Sequence, residues 1–127
     1  MGIITETKIV VPGRPIPYVR MTQRGKYVKK NAQRYMDYKS TVAWSYKAKK
    51  GPKLNGNIEI GVTVYLHGKT TPMGMDGDVD NYIKTAMDSL NKIAYDDDRQ
   101  VVRAIGEKKP CKSQKEERME IKLREVE

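Results

Sequence analysis

With 127 residues carrying 25 Lys/Arg against 16 Asp/Glu, a net charge of +9, the chain has room for one domain with a small core and reads as a partner of polyanions. One cysteine, Cys111, and one histidine, His67, exclude an internal disulfide and a Cys/His metal framework. No apolar run reaches membrane-spanning length and residues 1–13 lack a signal-peptide core, so a soluble protein of the reducing cytoplasm is expected, with no membrane partner.

The charge is segregated. Residues 1–75 hold 14 Lys/Arg and 3 Asp/Glu, net +11, whereas residues 76–127 hold 11 and 13, net −2. An acidic island therefore sits in a basic chain. The plain alternative for the basic part is a solvated face without a polyanion partner.

Residues 7–11 can form a strand, after which Pro12, Gly13, Pro15 and Pro17 impose an extended or turning connection. Residues 18–30 form a basic arm with Arg20, Arg24, Lys26, Lys29 and Lys30, interleaved with Tyr18 and Tyr27 and turned at Gly25. Such a pattern suits contact with nucleic-acid backbones and occasional stacking; the alternative is a hairpin whose tyrosines rest on the domain. Asn31 is a plausible N-cap for a helix to about residue 49, with Tyr35, Met36, Lys39, Ala43 and Tyr46 on one stripe and Val42 and Trp44 widening it. Gly51 and Pro52 stop that helix, with Lys47, Lys49 and Lys50 near its negative end.

Residues 58–66 alternate Ile, Ile, Val, Val, Leu with more polar neighbours, the period of a strand with one buried face. Residues 67–77, with Lys69, Pro72, Gly74 and Gly77, read as a loop. A second helix runs from about Asp80 to about Lys92, because Ile83, Ala86, Met87 and Leu90 repeat at helical spacing. Val101, Ala104 and Ile105 permit a strand, although Val102 spoils the alternation; residues 110–117 are a loop, and Met119, Ile121 and Leu123 face one side of a last strand. The expected fold is a single α+β domain over residues 1–127, a compact mixed sheet flanked by helices, its strand order left open.

Within the acidic island, Asp78 and Asp80 are two residues apart, so an extended backbone directs both carboxylates to one side. Asp96, Asp97 and Asp98 answer them beyond the second helix. Clustered carboxylates repel one another and bind phosphate poorly, so in a basic chain they suit a hard divalent cation. Mg²⁺ retains several waters and needs only two or three carboxylates; Mn²⁺ accepts the same oxygens. Helix capping is the competing role for Asp80. Lys84, one helical turn after Asp80, offers a cation to a phosphate, or else pairs with Asp80 or Asp88 on the helix surface. Asn81 serves either a carboxylate or the helix terminus.

Asp78-Val79-Asp80-Asn81 with Lys84, then Asp97-Asp98-Arg99-Gln100-Val101, together with Gly13-Arg14-Pro15-Ile16-Pro17 and Gly25-Lys26-Tyr27-Val28, resembles the RusA-type Holliday-junction resolvase family of bacteria and their phages. The resemblance implies a small homodimer of mixed α+β fold that resolves four-way junctions by paired nicks with Mg²⁺. It also implies that Asp78, Asp80 and Asp98 are the catalytic metal ligands, with Asp97 as an alternative ligand, and that Lys84 is the active-site lysine. Asp96 makes a triplet where the family motif has a pair, so the register of the third ligand is open by one residue.

The expected function is a Mg²⁺-dependent structure-specific endodeoxyribonuclease that resolves Holliday junctions in DNA recombination and repair. Arg14, Arg20, Arg24, Lys26, Lys29, Lys30 and Lys69 are the candidate DNA contacts, helped by Lys47, Lys49 and Lys50. The alternatives are a less selective branched-DNA nuclease and a non-enzymatic DNA-binding adaptor.

Overall fold

The computed structural model describes residues 6–18, 25–68 and 77–126, and of residues 25–29 and 31 the backbone alone. In chain order the elements are β1 (Glu6–Pro12), α1 (Gly25–Ala48), β2 (Asn57–Leu66), α2 (Val79–Leu90), β3 (Val101–Pro110) and β4 (Arg118–Val126). Short 3₁₀ turns, Asp98–Gln100 and Gln114–Glu116, precede β3 and β4. The strands form one mixed sheet in the order β1-β4-β2-β3, an α+β arrangement. β4 is antiparallel to both β1 and β2, whereas β2 and β3 run parallel. Parallel neighbours need a crossover, and α2 supplies it.

β2 carries the core. Ile58, Ile60, Val62, Val64 and Leu66 are buried, as their alternation predicts, and meet Ile9 and Val11 of β1 and Met119, Ile121 and Leu123 of β4. Both helices cover this face, α1 through Tyr38, Val42 and Tyr46, α2 through Tyr82, Ala86 and Leu90. The opposite face is wet and laced with ion pairs: Glu59 holds Arg124 at 2.9 Å and Arg103 at 3.7 Å, and Glu120 holds Arg118 at 2.7 Å and Lys8 at 3.6 Å.

Four boundaries and faces differ from the sequence reading. α1 starts at Gly25, not Asn31, so the second half of the basic arm is helical. Residues 26–30 contain three lysines and no Pro or Gly, so a helix nucleated by the packed half extends back through them at little cost. The buried stripe of α1 is Tyr35, Tyr38, Val42 and Tyr46; Met36 is 49% exposed and Trp44 68%. α2 stops at Leu90, where Asn91 turns extended, φ −60 and ψ 128, and Lys92 then adopts the left-handed φ 66. β3 continues to Pro110, and its bulge, with Ile58 opposite Val101 and Glu59 opposite Arg103, skips Val102 and accounts for the broken alternation.

α2 lies close on β3 at Gly106, where a Cβ would stand 2.7 Å from Ile83 Cδ1 and 2.8 Å from Val79 Cγ2. The missing side chain lets the first turn of α2 settle on the sheet, which fixes the height of Asp78 and Asp80 above it.

Candidate active site

The acidic motif begins at a pinned turn. Gly77 adopts φ +77, and a Cβ there would lie 3.1 Å from both Pro17 and Tyr82, so backbone conformation and close approach both call for glycine. Its carbonyl accepts a hydrogen bond from Lys108 Nζ of β3 at 2.9 Å. Asp78 follows in extended conformation at the N-cap position of α2, yet its carboxylate makes no capping bond. Asp80 sits exposed in the first turn, where its charge also complements the positive helix end.

Residues 16–18 are strapped across α2. Thr85 Oγ1 donates to Ile16 O at 2.9 Å, and the Tyr18 N–H donates to Asn81 O at 3.0 Å. The strap places Tyr18 beside the helix, where Lys84 Nζ stands 4.7 Å from the centre of its ring. Lys84 forms no ion pair with Asp80 or Asp88. Tyr18 meets Tyr35 edge to face, 5.6 Å between centroids at 88°. The Tyr35 hydroxyl donates to Asp88 Oδ2 at 2.9 Å, and burial, followed by that bond, pushes the phenol well above its usual range.

The three consecutive acids have separate occupations. Asp96 is exposed and pairs with Lys53 at 2.6 Å. Asp97 caps the 3₁₀ turn: its Oδ1 accepts the Arg99 N–H at 2.8 Å, and the guanidinium reaches both carboxylate oxygens at 3.2 Å. These bonds, the backbone one first, hold the Asp97 carboxyl below the ordinary value. The Asp98 carboxylate has no cation or backbone partner among the described residues. Its Oδ1 is buried without a hydrogen bond, and burial, then the Asp88 carboxylate, push its carboxyl up, against the opposing effect of a side-chain hydrogen bond with Tyr95. The Tyr95 hydroxyl donates to Met87 O at 2.7 Å.

Asp98 thus neighbours Asp88, which lies eight residues beyond Asp80, about 12 Å along the helix axis at 1.5 Å per residue. Among the described residues, no three His, Cys, Asp or Glu side chains are grouped so that they could hold a metal ion. Asp78 and Asp80 stay together at one end of α2, and Asp98 joins Asp88 farther along.

Of the candidate DNA contacts, Arg14 is bonded to Glu117 and, at 3.2 Å, to His67 O, at the far end of β1 from its start. Lys30 is exposed on α1. Lys26 and Lys29 lie on the first turns of α1, where only the backbone is described, and Arg20, Arg24 and Lys69 lie outside the described residues. Lys49 donates to Lys8 O. Sequence reasoning placed Tyr35 on the core stripe without a link to the site, missed Thr85 and gave Asp88 only a surface role. The run Asp80, Lys84, Asp88 at i, i+4, i+8 is the signal that places Asp88 on the same face.

A family model described as Endodeoxyribonuclease RusA matches residues 12–124, which takes in the candidate acids, Lys84 and all the candidate DNA contacts. The chain belongs to the RusA endodeoxyribonuclease family. No curated protein matches it. RusA enzymes are metal-dependent nucleases that act on Holliday-junction DNA, and the donor set here fits a hard cation in its chemistry. The candidate ligands are all carboxylate oxygens, the Asp78 carboxylate is not spent on capping, and Asp98 presents a buried oxygen with no protein donor. Among the described residues no helix is long and apolar enough to cross a membrane.

Proposed function

We propose that the chain is a Mg²⁺-dependent, structure-specific endodeoxyribonuclease that resolves four-way junctions as a homodimer, by paired hydrolysis of phosphodiesters. Asp78 and Asp80 would hold the metal at the start of α2, with Asp98, which lies beside Asp88 farther along the helix, as the candidate third ligand, and Lys84 would meet the scissile phosphate. The observation that carries this reading is the division among Asp96, Asp97 and Asp98, in which two acids are committed locally and the third keeps a buried, unpartnered oxygen. It favours Asp98 as the answering ligand over Asp97.

Mg²⁺, or Mn²⁺ on the same oxygens, supplies water activation and charge neutralisation when bound. The chain's own residues do the rest. Asp78 and Asp80 would hold the cation at the start of α2, at the turn pinned by Gly77, Pro17 and Lys108. The Lys84 ammonium, unpaired with the acids, offsets negative charge as it builds on the phosphoryl oxygens. Arg20, Arg24, Lys26, Lys29, Lys30 and Lys69 grip the flanking backbones, and this contact weakens steeply with salt. Twofold symmetry places one site on each of two opposed strands.

The test is a panel of labelled four-way junctions, flaps and linear duplexes, incubated with Mg²⁺ and with EDTA, alongside native mass determination. Symmetric paired nicks confined to junctions, dependent on the metal and lost in Asp80→Asn with junction binding retained, are expected. Equal cutting of flaps points to a less selective nuclease, and metal-independent binding without cutting removes the enzymatic reading.

A further inference from the structure

Lys84 sits four residues after Asp80 and four before Asp88, the spacing at which a lysine on a helix ordinarily pairs with a carboxylate. It pairs with neither. Its ammonium instead rests on the face of Tyr18, 4.7 Å from the ring centre. Tyr18 itself is held from two directions: its backbone N–H is bonded to Asn81 O at 3.0 Å, and its ring stands perpendicular to that of buried Tyr35. Tyr35 is fixed in turn by its hydroxyl bond to Asp88. The ring under Lys84 is therefore part of the packed structure rather than a loose surface group.

We infer that Tyr18 is a positioning residue, which holds the Lys84 ammonium available to a phosphate and out of ion pairs with Asp80 and Asp88. The inference rests on the role of Lys84 proposed above and adds the group that makes that role feasible. An aromatic face attracts a cation through its quadrupole without carrying charge, so it steadies the ammonium while leaving its full positive charge to be used. A carboxylate in the same position would neutralise the lysine and lose its own capacity for a metal. Without the ring, the side chain falls to one of its two acids, and both halves of the site are weakened together.

The first arm of the test needs no activity. In NMR spectra of the purified chain, the Lys84 ε-methylene resonances carry an upfield ring-current shift that disappears in Tyr18→Ala and persists in Tyr18→Phe. Absence of that shift in the unmodified chain overturns the inference whatever the enzyme does. The second arm is a single-turnover cycle on four-way junctions with Tyr18→Ala, Lys84→Ala and the double variant. A cation–aromatic contact of this kind corresponds to about 2- to 5-fold in rate. The expected result is a loss of at least that size in Tyr18→Ala with junction affinity unchanged, recovery in Tyr18→Phe, and no added loss when Lys84→Ala is already present. An equal further loss in the Lys84→Ala background shows Tyr18 acting by another route and overturns the inference, while leaving the nuclease reading intact. Failure of the unmodified chain to cut any junction counts against the nuclease reading alone, and the spectroscopic arm then decides the positioning role.

Discussion

Replacing Asp98 by Asn is expected to stabilise the fold at neutral pH while removing cleavage. In the native chain the Asp98 carboxyl is raised by burial and by Asp88, so its charged form is disfavoured on folding. The sign follows directly. A group whose folded value lies above its unfolded one binds its proton more tightly in the native state, so stability is greatest below the ordinary value of 3.8 and falls as pH rises through the raised one. Asn cannot titrate and escapes this loss. A buried acceptor with no donor costs about 1–3 kcal/mol; because Asp98 is only partly buried and solvent screens it, the lower end applies, about 1 kcal/mol. The new amide can also donate toward Asp88.

For a chain of 127 residues that gain is roughly 3–5 °C in melting temperature. Thermal unfolding of both proteins at about pH 7.5 and about pH 4 checks it, since aspartate titrates across that interval. The offset should be present at the higher pH and shrink at the lower. Mg²⁺ should add to the stability of the native chain, by about 2.7 kcal/mol at a hundredfold excess over its dissociation constant, and add much less to Asp98→Asn. A variant less stable than the native chain at about pH 7.5, or an offset independent of pH, refutes the reasoning.

Tyr38 is buried with an unpartnered hydroxyl, so Tyr38→Phe should be neutral or stabilising, whereas Tyr95→Phe, which removes the bond to Met87 O, should cost about 1 kcal/mol; chemical denaturation separates the two. Gly106→Val drives atoms into Ile83 and Val79 and should cost about 1–3 kcal/mol by the same measurement, with cleavage reduced because the start of α2 is displaced. Gly77→Ala combines a left-handed backbone with a Cβ against Pro17 and Tyr82 and should cost about 1–2 kcal/mol, with its activity loss exceeding what the unfolded fraction explains. Lys84→Ala should lower the single-turnover rate with junction affinity little changed, and unchanged turnover would return Lys84 to the role of a surface residue.

What could be read in advance was what depends on local period. The alternation of residues 58–66 predicts the inward face of β2 residue for residue, because a sheet with one covered face imposes a period of two. The acidic motif was legible for a different reason: carboxylates so close in a basic chain need a purpose. The order β1-β4-β2-β3 was not legible, since hydrogen-bond pairing between strands far apart in sequence leaves no periodic trace. The face of α1 was legible only in part: Tyr35, Val42 and Tyr46 are buried as the spacing predicts, but tyrosine is both apolar and polar, and Tyr38 joins the core while the more hydrophobic-looking Met36 and Trp44 stay outside. Tyr18 read equally well as a stacking group for nucleic acid and as a ring resting on the domain. Its contact with Lys84 arises only when the strap over residues 16–18 meets α2.

The proposed third ligand shows how geometry can discriminate where composition cannot. As letters, Asp96, Asp97 and Asp98 are equivalent. In the fold, Asp96 takes Lys53, and Asp97 takes the backbone and guanidinium of Arg99. The other well-covered acids are treated alike: Glu117 is held by Arg14, Glu59 and Glu120 by two cations each. Cations outnumber acids 25 to 16, so finding a partner is easy in this chain. Asp98 nonetheless has a buried Oδ1 with no hydrogen bond, no cation beside it among the described residues, and Tyr95 together with two acids, Asp88 and Asp97, as its neighbours. An arrangement that disfavours the charged form in the isolated chain is relieved either by a proton or by a cation from outside, and the second route is the physical reason for proposing Asp98 rather than Asp97 as the answering ligand.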